Sequence, residues 1–146
     1  MKIGLASDHR GYKLKTQLIE KLKEEGYEIK DFGTDSEEST DYPDYAFVLG
    51  ENVVNGNVDF GVAICGSGIG ISIACNKVKG IRCAKVDSVK EATATRIDND
   101  SNIIAFGEKM TFDEALELVH TFINTPTSSE EKHVRRRNKI KEYEER

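Results

Sequence analysis

A thiol at the head of a glycine-rich turn carries the most chemistry in this chain. Cys65-Gly66-Ser67-Gly68-Ile69-Gly70 follows directly on the apolar run Phe60-Gly61-Val62-Ala63-Ile64. A run of that kind reads as a buried parallel strand delivering its loop to the carboxyl edge of a sheet. The alternating glycines let the backbone approach a ligand closely, and successive amide N–H groups can cradle an anion. Two readings of Cys65 stand at this point. One is a buried apolar thiol, the common fate of a free cysteine. The other is a thiolate, favoured by the partial positive charge where the next helix begins. Cys75 and Cys83 lack such surroundings and read as core.

Spacing removes several other glycine-loop chemistries. A Walker loop needs Gly-Lys followed by Ser or Thr, and none is present; the dinucleotide fingerprint requires glycine or alanine at Ile71. A cysteine phosphatase needs arginine at that same position to hold the transferred phosphoryl group. Two further clusters remain. Ser7-Asp8-His9 follows the first strand-like segment, where Asp8 or Ser7 either caps the next helix or stands with His9 to bind an oxyanion or move a proton. Lys132-His133-Val134-Arg135-Arg136-Arg137 is either a solvated helix, as Glu142, Glu144 and Glu145 nearby suggest, or a phosphate clamp. In the second case Lys132 and Arg136 share a helix face.

The elements that position these groups alternate in type. Strands are expected at Lys2 to Ala6, Tyr27 to Phe32, Val58 to Ile64, Gly80 to Val86 and Asn102 to Phe106. Between them, Leu14, Leu18 and Leu22 recur at helical spacing, with Gly26 at the C′ position. Helices are also expected at Tyr45 to Val54, Ile71 to Lys77 and Ser88 to about Ile97. Thr111 and Glu114 form a capping box at the head of the apolar stripe Phe112, Ala115, Leu116, Val119, Phe122 and Ile123. Ser128 and Glu131 are expected to cap a last charged helix reaching Glu145. Strand–helix alternation implies right-handed crossovers and a five-stranded, mainly parallel sheet covered on both faces, an α/β three-layer fold. Ligands in such folds bind beyond the carboxyl ends of the strands. Three polar groups are placed there: Ser7 to His9, the cysteine loop, and Asp98 to Asn102.

The 146 residues suit one domain. No apolar run approaches the roughly 20 residues of a membrane span, and the chain enters a strand at once, so a cytoplasmic protein without signal peptide or membrane association is expected. A net charge of −5 argues against nucleic acid as partner. The three cysteines are odd in number and form no C-x-x-C pair, and the three histidines make no metal-binding pattern. No metal or other cofactor is expected.

The motifs occur in a diagnostic order. Ser7-Asp8-His9, Asp31-Phe32-Gly33-Thr34, Ser36-Glu37-Glu38-Ser39, Asp41-Tyr42-Pro43-Asp44-Tyr45-Ala46 and the cysteine loop are followed by Asn76-Lys77-Val78, Gly80-Ile81-Arg82, Asn99-Asp100, Asn102 and His133. This pattern resembles the type B ribose-5-phosphate isomerases, with their galactose-6-phosphate and allose-6-phosphate relatives, over essentially the whole chain. The resemblance implies a Rossmann-like sheet, a homodimer or tetramer with sites shared between subunits, and metal-free aldose–ketose isomerisation through a cis-enediolate.

Carried over by position, the resemblance makes Cys65 the base that moves a proton between C1 and C2. Ser67, where threonine is usual, and the backbone of Gly66, Gly68, Ile69 and Gly70 hold the enediolate oxygen. Asp8 and Tyr42 contact the sugar, and Asn99 reaches in from the partner. His9, Lys109, Lys132 and Arg136 hold the phosphate. The C-terminal segment 128–146 packs on the partner subunit. Asp98 stands where the family usually carries the histidine that opens the furanose ring, lysine replaces arginine at Lys109 and Lys132, and Arg10 replaces a small residue beside His9, where it is expected to restore one phosphate contact. Ribose 5-phosphate is the first-choice substrate, a six-carbon sugar phosphate the second, and a non-catalytic sugar-phosphate-binding subunit the third reading.

Overall fold

The structure is a computed structural model that describes all of residues 1–146. Five strands, β1 (Lys2–Ser7), β2 (Glu28–Asp31), β3 (Phe60–Cys65), β4 (Cys83–Lys85) and β5 (Ile103–Gly107), alternate with α1 (Tyr12–Glu24), α2 (Tyr42–Val54), α3 (Ile69–Cys75) and α4 (Val89–Asn99). Helices α5 (Phe112–Asn124) and α6 (Glu131–Glu144) complete the chain. The sheet order is β2-β1-β3-β5-β4 with every pairing parallel.

Burial on both faces follows from the near-continuous apolar runs of β1, β3 and β5. Ile3, Leu5, Val62 and Ile64 pack under α1 and α5, through Leu14, Leu18 and Leu22 of the first helix and Leu118, Val119 and Phe122 of the second. Ala6, Ala63, Cys65 and Ala105 face the other way, against Ala46 and Leu49 of α2 and Ile71 and Ala74 of α3. These are the three layers. α5 starts where its sequence says: Thr111 accepts from Glu114 N, and the Glu114 side chain accepts from Thr111 N.

The connection after β1 leads outward to β2, whereas that after β3 leads the opposite way to β4. A crevice therefore opens between the carboxyl ends of β1 and β3, the switch point where such sheets bind ligands. Asp8 N donates to Ile64 O at 3.3 Å, tying the two strand ends together there.

Several expectations need correction. α2 begins three residues before Tyr45, because Pro43 suits a helix's first turn. β3 extends through Cys65, so the thiol ends the strand instead of opening the loop. The Ser128–Glu131 capping box does not form: α6 is preceded by Glu130, which leaves Ser128 too early, and its hydroxyl accepts from Glu130 N instead. The placement of Asp98 to Asn102 at the carboxyl edge is also wrong. α4 runs antiparallel to the strands and returns the chain to their starting edge, where Asn102 O accepts from Gly61 N near the beginning of β3.

Candidate active site

Cys65 is 4% exposed, and its Sγ accepts a hydrogen bond from Gly68 N at 3.2 Å. An N–H donor aimed at sulfur supports negative charge on it. That geometry depends on Gly68, whose φ is +82° and whose hypothetical Cβ would lie 2.7 Å from the Phe106 backbone. The loop is thus pressed onto β5. Ser67 Oγ accepts from Ile69 N at 3.1 Å, which leaves its O–H to donate outward. The amides of Ser67 and Gly70 take no acceptor within the chain. One sulfur, one directed hydroxyl and two unspent amides meet in one loop.

β1 supplies the facing wall. Asp8 is 5% exposed, and its Oδ1 accepts from Arg10 N at 3.0 Å and Gly11 N at 3.2 Å. These bonds steady the turn before α1, whose N-cap is Gly11, so neither Ser7 nor Asp8 is the cap. The second carboxylate oxygen of Asp8 takes no protein donor. His9 Nδ1 accepts from Thr40 N at 3.2 Å, which puts the neutral ring's proton on Nε2, a donor suited to an anion. Tyr42, at the start of α2, lies over Gly70, where a Cβ would come within 2.9 Å of the phenol oxygen.

The cleft between the cysteine loop, Asp8 and Tyr42 holds about 620 Å³, and His9 is not among the residues that line it. Asp8, Tyr42, Cys65, Gly66, Ser67, Gly70 and Lys109 all line it, so seven of the residues singled out from sequence share one space. Arg10, Lys85, Asp87, Gly107 and Met110 complete the wall. Sequence reading passed over Lys85 and Asp87, because a strand drawn from Gly80 to Val86 hides where β4 ends; its true end at Lys85 puts both at the carboxyl edge. Charge there is largely paired. Lys85 donates to both Asp87 oxygens at 2.7 Å, and Arg10 pairs with Glu108. Lys109 has no ion-pair partner.

Asp98, Asn99, Lys132 and Arg136 do not join this cleft within one chain. α4 has 11 residues, a rise of roughly 16 Å, which carries Asp98 and Asn99 to the opposite edge of the sheet. There Asp98 Oδ1 lies 3.7 Å from His133 Nε2, and Asp98 O accepts from Arg137 of α6. Lys132 and Arg136 are exposed on that same helix. This second polar cluster reaches a Cys65 cleft only if it is another copy's.

The other thiols stay apart from the cleft. Cys75 is fully buried, and the Cys83 thiol is pushed up from its usual range by its hydrogen bond with Cys75 and by burial. No group of three or more His, Cys, Asp and Glu side chains is arranged to hold a metal ion. No helix is long and apolar enough to cross a membrane.

Comparison with known proteins identifies the family. The sequence pattern of the Ribose/Galactose Isomerase family matches residues 3–140. Ribose-5-phosphate isomerase B of Escherichia coli K12 is 42% identical over 118 residues, covering 81% of this chain and 79% of its own. The ribose-5-phosphate isomerase B structure from Clostridium thermocellum superposes with a TM-score of 0.95 at 46% identity, over 99% of this chain and 98% of that one. The Mycoplasma genitalium ribose-5-phosphate isomerase B, solved with bound ribulose-5-phosphate, gives 0.91 at 35% identity, over 99% and 96%. The chain belongs to the ribose/galactose isomerase family.

Proposed function

We propose that this enzyme interconverts ribose 5-phosphate and ribulose 5-phosphate, with Cys65 as the proton-transfer base. The observation that carries the reading is the Cys65 sulfur at the cleft floor, 3.2 Å from the Gly68 amide and beside the donor hydroxyl of Ser67. The Cys65 thiolate takes the C2 proton of the open-chain aldose, and the C1 carbonyl oxygen gains the charge of a cis-enediolate. The Ser67 hydroxyl and the unspent amides of Ser67 and Gly70 face that charge as an oxyanion hole. Returning the proton to C1 while the O2 hydroxyl passes its own proton to O1 gives the ketose and restores the thiolate. Asp8 and Tyr42 hold sugar hydroxyls, and Lys109 and His9 hold the phosphate, whose remote binding energy fixes C1 and C2 against the base.

In this reading the working unit is a homodimer, itself able to pair into a tetramer. A partner's Asp98, Asn99, Lys132 and Arg136 complete each cleft, and segment 128–146 packs on that partner. Asp98 opens the sugar ring. Ribulose-5-phosphate in the Mycoplasma genitalium structure supports a pentose phosphate. A six-carbon sugar phosphate is the second reading, favoured by a carboxylate at position 98.

The test is isomerisation of ribose, allose and galactose phosphates by the purified protein, with Cys65→Ala beside it. Turnover of ribose 5-phosphate that falls at least about 100-fold in the variant, with ligand affinity retained, is expected. Full activity in Cys65→Ala defeats the base assignment. Turnover of hexose phosphates alone selects the second reading.

A further inference from the structure

Arg10 is held in an unusual place for an exposed arginine. Its Nε and Nη2 both donate to Glu108 Oε1, and Glu108 N in turn donates to Gly66 O at 3.2 Å. The guanidinium lies against Gly66 itself. A Cβ there would come 2.4 Å from Nη1, 2.6 Å from Cζ and 2.9 Å from Nε, so the guanidinium packs directly on the glycine next to Cys65. Two of the five guanidinium N–H bonds are spent on Glu108, and the Nη1 pair is left without an acceptor. Arg10, Cys65, Gly66 and Ser67 line the same cleft.

We propose that Arg10 is a catalytic residue that presents its free Nη1 edge to the enediolate oxygen beside Cys65, and that Glu108 is the positioning residue that holds it there. The inference rests on Cys65 being the isomerase base. A plain surface ion pair contributes little to stability and needs no particular neighbour. This one is tied to the catalytic loop at its Glu108 end, by the Glu108 amide on Gly66 O, and its guanidinium packs over Gly66. A planar fork also keeps its free edge in a fixed direction once the other edge is bound, which a lysine ammonium does not. The Arg10 pKa is raised by its hydrogen bond to Glu108, then by the charge of Glu108, with Asp8 and Cys65 adding in the same direction. Because its guanidinium lies against Gly66, next to Cys65, Arg10 meets the reacting end of the sugar and not its phosphate.

Two readouts separate this role from a phosphate contact and from an idle surface pair. Arg10→Gln should lower kcat about 100- to 1,000-fold, as loss of one oxyanion donor does, with KM and inhibition by inorganic phosphate little changed. Arg10→Lys should recover part of that loss and Glu108→Gln should show part of it. Alkylation of Cys65, followed on its own peptide by mass spectrometry, supplies a readout independent of turnover. The ratio of its rates with anionic iodoacetate and neutral iodoacetamide should fall about five-fold in Arg10→Gln, because the local positive charge is gone. A risen KM and weakened phosphate inhibition at unchanged kcat would make Arg10 a phosphate contact and overturn the proposal. An unchanged alkylation ratio overturns it whatever the kinetics show. Absence of turnover on every sugar phosphate, with the ratio still falling, sinks the isomerase reading and leaves the charge at Cys65 in place.

Discussion

Gly68 and Gly26 form a matched pair for testing how the cysteine loop is held. Both have positive φ, +82° and +94°, so an alanine at either pays a conformational cost of about 1 kcal/mol. Their surroundings differ completely. Nothing lies within 4 Å of a Cβ built on Gly26, whereas one on Gly68 meets the Phe106 carbonyl carbon and Cα at 2.7 Å. Ordinary carbon contacts are about 3.5–4.0 Å, so the loop or β5 must move by roughly 1 Å. β5 cannot yield cheaply, since it is hydrogen-bonded between β3 and β4. Overpacking of this kind adds about 1–3 kcal/mol, which puts Gly68→Ala near 2–4 kcal/mol in total. At about 2–4 °C per kcal/mol for a chain of this size, Gly26→Ala should lower Tm by about 3 °C and Gly68→Ala by about 5–15 °C. The displaced loop also takes the Gly68 amide away from the Cys65 sulfur, so turnover should collapse in Gly68→Ala and persist in Gly26→Ala. Paired thermal melts and initial-rate assays decide it. Equal Tm losses, or full turnover in Gly68→Ala, would refute the account of a loop wedged against β5.

Other outcomes follow from single contacts. Thr111→Ala removes a working cap and should cost about 1 kcal/mol in urea denaturation, whereas Ser128→Ala, which caps nothing, should cost no more than a few tenths. The raised Cys83 pKa means that the folded chain keeps this proton while the unfolded chain loses it. Stability is therefore fully present below the usual cysteine range of roughly 8.5 and falls as pH rises from there toward the folded-state value. Cys83→Ala should flatten that alkaline decline in Tm, and an unchanged slope would discount the Cys75–Cys83 contact. Mixing the inactive variants Cys65→Ala and Asn99→Ala as subunits should restore about a quarter of wild-type activity, because half the dimers are hybrids with one intact site each. No recovery from verified hybrids would place the whole site in one chain.

The sheet explains why the chemistry sits where it does. β1 and β3 are adjacent, but their following connections diverge, so no helix covers the gap beyond their carboxyl ends. Asp8 and Cys65, 57 positions apart by their numbers, become neighbours there through the bond from Asp8 N to Ile64 O. Glycine then permits close packing on three sides: Gly66 under Arg10, Gly68 against Phe106 and Gly70 under Tyr42. Each substitution to a larger residue displaces a different wall of the cleft.

Much of this was readable from residue order alone. Apolar periodicity marked most strands and helices, though not the charged α6, since burial on one face repeats every turn of a helix and continuous apolar runs mark strands covered on both sides. The Thr111–Glu114 box was legible because its two hydrogen bonds are local. Cys65 and Asp8 were legible from residue type and position, Ser67 and Tyr42 through the family resemblance of their motifs. What the chain order did not contain is direction and distance across the fold. Asp98 to Asn102 precedes a strand just as visibly as Ser7 to His9 follows one, yet an antiparallel helix carries the first group to the opposite edge of the sheet. Lys85, Asp87 and the Arg10–Glu108 pair belong to the cleft only through the register of β4 and β5 beside β3, a contact between residues remote in sequence. Local chemistry singled out the cysteine and its loop; long-range strand pairing decided which charges surround them.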